Sequence, residues 1–404
     1  MNRRKASFSN SPLARPLSPI HRLAAHLQDY LHFPDPYPLY VLMAALTANY
    51  AKGRPVWLML VGPASCGKSE LLSSLLSLPH THEGGSITGP AALLSGSKRK
   101  DRDKDATGGL LHEIGDRGCL VVKEFNSILA LPYEALRGVL GALREVYDGA
   151  WTRPVGSDGG HSERWEGKIA FLSGCTETID QHHTLMNTMG ERFMFYRYEQ
   201  SDGWSETYKA LSLDDAEDLS ERLRALVVQF ADEIGLAWDA PPELPALDTH
   251  DKQRLIAFSQ IAARGRSSVT RDTYSHEIIQ TSVGEYPIRI GRAFGQLLRA
   301  LRYIGVDDDD AWRVVRKCAL DSLPGNRRLS LLALLQGHDR LPDISESMNV
   351  SQATARRSLE ELKIHHLVDR TIGAGWCVSP WTKERLREAL NGSSSAVLKE
   401  ASGW

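Results

Sequence analysis

Short apolar runs alternate with longer amphipathic stretches through the first half of the chain. Val56-Trp57-Leu58-Met59-Leu60-Val61, Cys119-Leu120-Val121-Val122-Lys123-Glu124-Phe125, Ile169 to Thr176 and Phe193 to Tyr198 have strand length and are mostly apolar. Runs of that kind suit strands covered on both faces, as in a parallel sheet. Helical periodicity fills 132–147, 19–33 and 37–52, the last two separated by Phe33-Pro34-Asp35-Pro36. The second of these turns Leu39, Val41, Leu42, Ala45 and Leu46 toward a core. Trp151 to Trp165 reads as a hairpin, with two aromatic and basic arms around Asp158-Gly159-Gly160. Strands alternating with helices predict an α/β fold with its site at the carboxyl edge of the sheet.

After residue 200 the strand signal stops, and 214–235, 251–264, 268–280, 286–304 and 308–322 read as amphipathic helices. From about 325 the pattern changes again. A helix over 326–337 precedes a short helix near 341–350 and a longer one over 351–362, with Ser351 placed to cap it. Leu359, Leu362 and Leu367 face inward, and Gln352, Thr354, Arg356 and Arg357 face outward. Val368 to Thr371 and Trp376 to Val378 flank Gly373-Ala374-Gly375 as a small hairpin. Three helices and a hairpin predict a winged helix-turn-helix. Polar residues 1–18 and 391–404 are expected to be tails, and no repeat of solenoid period is present.

The chemistry is concentrated in Gly62-Pro63-Ala64-Ser65-Cys66-Gly67-Lys68-Ser69, which reads G-x-x-x-x-G-K-S and is followed by Glu70. It lies between a strand-length run and a helix start, the setting in which backbone N–H groups and the helix dipole cradle phosphates. ATP and Mg²⁺ are the cofactors this predicts. Lys68 reaches the β- and γ-phosphates, and the Ser69 hydroxyl binds Mg²⁺. Glu124, ending an apolar run, is placed to polarise an attacking water and to contribute to the metal site.

Charge and cysteine content narrow the setting. The 404-residue chain is 42% hydrophobic and 24% charged, with net charge -2, so any nucleic-acid binding must come from local patches. Five cysteines without a C-x-x-C pair argue against a zinc site or a disulfide framework, and for a reducing cytoplasm. No apolar run reaches membrane-spanning length. The basic run Lys98 to Lys104 is either a solvated loop or a contact for nucleic acid or a partner. Arg153, Arg164 and Lys168 around the 151–165 hairpin are either ordinary surface or a grip on a nucleic-acid backbone.

Residues 38–322 resemble AAA+ ATPases, most of all the clade of the minichromosome maintenance helicases and the related replication proteins of phages and mobile elements. The resemblance rests on Gly62 to Ser69 as Walker A and Lys123-Glu124-Phe125 at the end of Walker B. It implies a P-loop AAA+ core with a parallel sheet over 37–200, an all-α lid over 201–322 and the winged helix-turn-helix over 323–390. It also implies sensor 1 at Thr176, an arginine finger at Arg192 in Gly190-Glu191-Arg192-Phe193 that points at the neighbouring subunit's γ-phosphate, and sensor 2 at Arg289, with Arg292 the competing choice. The hairpin would project into a central channel. The implied assembly is a homo-hexamer that holds single-stranded DNA in its channel and duplex DNA on the winged helix, alongside other replication proteins. Lys123 departs from the pattern, standing where the family has an aspartate that helps hold Mg²⁺. A nucleotide-gated DNA-binding regulator or helicase loader is therefore the alternative to a motor, and a winged helix that docks a protein is a further one.

Overall fold

The computed structural model describes residues 17–31, 33, 35–95, 108–155, 161–186, 192–199, 203–212, 216–272, 274–275, 277–281, 286–371 and 375–390. Helices α1 (Pro19–Gln28) and α2 (Tyr37–Tyr50) lead to strand β1 (Trp57–Val61) and α3 (Lys68–Ser73). Then come β2 (Thr81–Glu83), α4 (Pro90–Leu93), α5 (Leu110–Ile114), β3 (Arg117–Val122), α6 (Asn126–Leu129) and α7 (Tyr133–Asp148). The hairpin of β4 (Ala150–Val155) and β5 (His161–Glu166) runs into β6 (Lys168–Cys175), α8 (His183–Met186) and β7 (Phe193–Arg197). The tip of that hairpin, 156–160, and the basic run 98–104 lie outside the described residues.

Five strands pair in parallel in the order β2-β3-β6-β1-β7. Period-two alternation decides which face each residue covers. In β1, Leu58 and Leu60 enter a core shared with α1, α2 and the helices beyond residue 200, while Trp57, Met59 and Val61 enter a second core over α5 and α7. Trp57, Phe125, Phe171 and Phe193 meet in that second core with ring centroids 5.1–6.1 Å apart, several of them edge to face. α2 differs from its expected amphipathic form. Every residue from Pro38 to Tyr50 is buried, because the sheet covers one side and later helices cover the other.

Beyond residue 200 the chain forms α9 (Trp204–Leu211), α10 (Ala216–Glu233) and α11 (Thr249–Arg266), then β8 (Val269–Arg271) and β9 (Ile278–Thr281). The helix expected over 268–280 is therefore a hairpin. Val269, Thr270, Ile278, Ile279 and Thr281 are β-branched, and that local preference prevails over the weak helical period. α12 (Ile288–Tyr303) and α13 (Asp308–Asp321) pack on α2, so residues on both sides of 200 share one core.

The last unit holds α14 (Gly325–Leu335), α15 (Leu341–Ser347), α16 (Gln352–Ile364), the antiparallel pair β10 (Val368–Thr371) and β11 (Gly375–Val378), and α17 (Pro380–Leu390). Its own core includes Ile344, Ala355, Leu359, Leu362, Leu367 and Trp376. α17 was not anticipated, and it packs back on α11. Among the described residues no helix is long and apolar enough to cross a membrane.

A buried ionic knot joins the sheet to this unit. The Arg197 guanidinium, at the end of β7, donates to both Asp180 carboxylate oxygens at 2.9 and 2.8 Å and to the Asp321 carbonyl at 3.0 Å. The fully buried Asp321 carboxylate accepts from the Arg197 backbone N–H at 2.7 Å and from Arg328 at 2.6 Å, with Lys317 at 3.2 Å. Burial alone would raise the Asp321 pKa, but Lys317, Arg328 and Arg197 outweigh it and hold the carboxyl below its ordinary value. That stabilisation is complete above the ordinary carboxylate pKa and is lost as pH falls through the lower folded value. Asp321→Asn leaves buried cations without their counter-charge, and is expected to cost about 3 kcal/mol in urea unfolding at neutral pH. The same variant should lose part of the wild-type acid sensitivity. A cost below about 0.5 kcal/mol would contradict the knot's role.

Candidate nucleotide site and nucleic-acid surfaces

The G-x-x-x-x-G-K-S segment joins β1 to α3 at the carboxyl edge of the sheet. The turn needs left-handed backbone at Ser65 and Gly67, with φ of 63° and 83°. At Gly67 a Cβ would also press on the Phe33 ring, 3.3 Å away. Lys68 is buried, and its ammonium donates to the carbonyls of Gly62 at 2.9 Å and Pro63 at 2.5 Å. Ser69 is exposed at the start of the helix. A cleft of about 510 Å³ opens over this loop. Ala64 to Glu70 line it, with Glu124 across from them and Tyr30, Leu31, Phe33 and Leu219 as an apolar wall. Gly62 and Pro63 stand behind the loop as the acceptors that hold Lys68.

Glu124 and Thr176 reach the same edge because β6 pairs with both β1 and β3. The backbone N–H of Gly62 donates to Cys175 at 3.1 Å, and that of Phe125 donates to Gly174 at 2.8 Å. Between them sits Asn126, which the sequence reading did not single out. Its amide nitrogen donates to the Glu124 carboxylate at 2.5 Å. Its carbonyl oxygen accepts from Thr176 at 3.3 Å, Thr178 at 2.8 Å and the Cys175 thiol at 3.0 Å. Burial is the main force that pushes the Cys175 thiol up to about 12, so it stays protonated and can donate. Gly174 is a second unforeseen element, since a Cβ there would lie 2.7 Å from the Lys123 carbonyl. Lys123 itself points the other way. Its ammonium pairs with Glu83 at the end of β2, at 2.6 Å, and β2 is the edge strand farthest from the phosphate loop.

Arg192 and Arg289 lie away from this cleft. Arg192 precedes β7, at the amino edge of the sheet, where it is only 6% exposed. It donates to the Asp148 carboxylate at 2.6 Å and lies over the Tyr147 ring at 5.6 Å. Gly190 and Glu191 are outside the described residues. Arg289 is not in the phosphate cleft either. With Arg292 it lines a cleft with Arg54, Tyr147 and Asp148. The sequence could not reveal this grouping, because Asp148 ends a helix more than 40 residues before Arg192.

Of Arg153, Arg164 and Lys168, Arg164 keeps its side chain mainly in solvent, paired with Glu166. Arg153 donates to the Leu94 carbonyl at 2.6 Å. Lys168 corrects its expected outward role, since its ammonium turns inward and donates to the Ala51 carbonyl at 2.6 Å. On α16, Gln352, Arg356 and Arg357 are exposed, Thr354 is half-buried, and the Ser351 hydroxyl accepts from the Thr354 N–H at 3.2 Å as a cap.

No protein-family model matches the chain, and no curated protein does. Among solved structures, the A form apo structure of the NrS-1 C-terminal region matches at 12% identity and a TM-score of 0.26. It covers 92% of this chain and 79% of that one. A second A form apo structure of the same region gives 12% identity and a TM-score of 0.25 with the same coverage. Likeness of this degree fixes neither fold nor activity.

Burial, with Arg117 adding repulsion, pulls the Lys168 pKa from 10.5 down to about 8. Between those values the unfolded chain binds a proton that the folded chain does not, so this group makes stability rise with pH. Urea unfolding should show wild type gaining on Lys168→Met from pH 8 to 10, by at most about 1.4 kcal/mol per pH unit. A flat or falling difference would place the ammonium in solvent.

Proposed function

We propose that this chain is a DNA-acting ATPase of the AAA+ type, working as a ring-forming oligomer and carrying a winged helix-turn-helix over 323–390. One observation carries the reading. Lys68, Ser69 and Glu124 share a single cleft, and Asn126 ties the Glu124 carboxylate to Thr176. A Gly-rich turn alone would not bring a carboxylate and its positioning amide to the same edge.

In this reading Lys68 exchanges its two loop carbonyls for β- and γ-phosphate oxygens, and the N–H groups opening α3 face the same charge. Ser69 and Glu124 offer hard oxygen donors, which suit Mg²⁺. Bound Mg²⁺ would neutralise charge on the phosphate oxygens. Glu124 takes the proton of the attacking water, and Asn126 fixes the direction of its carboxylate. The apolar wall of Tyr30, Leu31, Phe33 and Leu219 suits the base. Lys123 does not oppose the metal, because Glu83 draws its charge toward the sheet's far edge.

Arg192 and Arg289 group with Asp148, apart from the chain's own phosphate cleft. They are therefore assigned to the site of a neighbouring subunit, with Arg192 released from Asp148 or acting through it. The exposed Gln352, Arg356 and Arg357 at the start of α16 suit base edges and phosphates of duplex DNA. Arg164 is the hairpin cation open to a single strand.

Steady-state ATP hydrolysis, with and without single-stranded DNA, tests the reading. Turnover should rise with DNA and vanish in Lys68→Ala and Glu124→Gln. It should fall about 1000-fold in Arg192→Ala or Arg289→Ala with nucleotide binding retained. ATP binding without turnover above the Lys68→Ala background would contradict a motor and leave a nucleotide-gated DNA-binding protein.

Duplex affinity measured against salt tests α16 separately. The double change Arg356→Ala and Arg357→Ala should weaken binding and lower the slope of log affinity against log salt by about two. An unchanged slope would favour a protein partner at this surface.

A further inference from the structure

α9 is the least supported helix of the described chain. It buries none of its eight residues. Trp204, Tyr208 and Leu211, at spacing i, i+4, i+7, are 67%, 63% and 81% exposed and form one apolar face. The two rings stack with centroids 5.3 Å apart. A helix this short does not hold in water on propensity, so its face calls for a covering surface. Its other side, Glu206, Lys209 and Ala210, lines the phosphate cleft. In sequence, 202–218 carries six carboxylates against one lysine.

The complementary surface is present on the same chain. Between α11, α12 and the turn after α2 lies an apolar groove of about 810 Å³. Ile256 and Ile288, each more than half exposed, stand on its walls. Gly291 and Gly295, one turn apart on α12, line it beside Leu247, Leu255 and Ser259. Lys52, Arg54, Lys252, Arg292 and Arg299 line it, and among the described residues no carboxylate does. Arg54, Ile288 and Arg292 are common to this groove and to the cleft that holds Arg289 and Asp148.

We infer that the groove receives α9 of a second copy of this chain, with Trp204, Tyr208 and Leu211 seated between α11 and α12. The inference rests on the oligomeric ATPase reading and supplies its contact. Because α9 borders the phosphate cleft and the groove borders the arginine cluster, docking brings one copy's nucleotide site to the next copy's Arg289. The two surfaces differ, so the contact is head-to-tail and propagates to a closed ring or an open spiral.

Sedimentation velocity of the full chain, with and without Mg²⁺ and a slowly hydrolysed ATP analogue, tests this. Wild type should form species well above its 44.8 kDa monomer. The double change Tyr208→Glu and Leu211→Glu on α9, and the single change Ile256→Glu in the groove, should each leave monomers. Both are surface changes, and fluorescent-nucleotide affinity should stay within about twofold of wild type. An equimolar mixture of the two should give dimers and nothing larger, since one intact α9 faces one intact groove. Monomeric wild type in both conditions, variants that assemble as wild type does, or a mixture that stays monomeric would each overturn the inference. Absence of nucleotide binding with assembly still lost in the variants would instead count against the ATPase reading alone.

Discussion

The site depends on one strand being paired on both sides. β6 lies between β1 and β3, and its pairing continues past the strand ends through Gly62 N–H to Cys175 and Phe125 N–H to Gly174. Those two bonds bring the phosphate loop, Thr176 and Glu124 to one edge. Gly174 is what lets them close, because any side chain there would meet the Lys123 carbonyl. Parallel pairing also sends all three carboxyl ends in the same direction, which is where an open α/β sheet offers its crevice. The Trp57, Phe171 and Phe193 rings lie on one face of the sheet and the fully buried α2 on the other.

Charge is distributed between the two edges with the same consistency. At the carboxyl edge a buried lysine is held by loop carbonyls, and Glu124 by an amide. At the amino edge Arg192, Arg289 and Arg292 gather around Asp148. Lys123, standing where the resemblance implies an aspartate, pairs with Glu83.

Much of the sheet was legible in the sequence because buried parallel strands are written as apolar runs, and the place of the Gly62–Ser69 turn between strand and helix because its glycines bound it. β2 was not, since Thr81-His82-Glu83 carries no apolar signal and pairs only as an edge. In 268–280 the apolar residues Val269, Tyr274, Ile278 and Ile279 are too few to set a period, and the β-branched residues determine the backbone. α9 went unnoticed because an eight-residue helix gives too short a period to detect. The harder losses concern direction. Lys168 and Arg192 are basic residues beside strands, and sequence alone cannot tell that Ala51 and Asp148 wait for them. Asn126 was within reach, because it follows Glu124 by two residues, but its value lies in bonds to a strand 50 residues later.

The central claim is that the loop from Gly62 to Ser69 binds a nucleoside triphosphate together with Mg²⁺. Calorimetric titration of the full chain with ATP in Mg²⁺ buffer measures this directly. One site per chain is predicted, abolished by Lys68→Ala and weakened when Mg²⁺ is replaced by a chelator. Heats that are absent in wild type, or identical in Lys68→Ala, would contradict it.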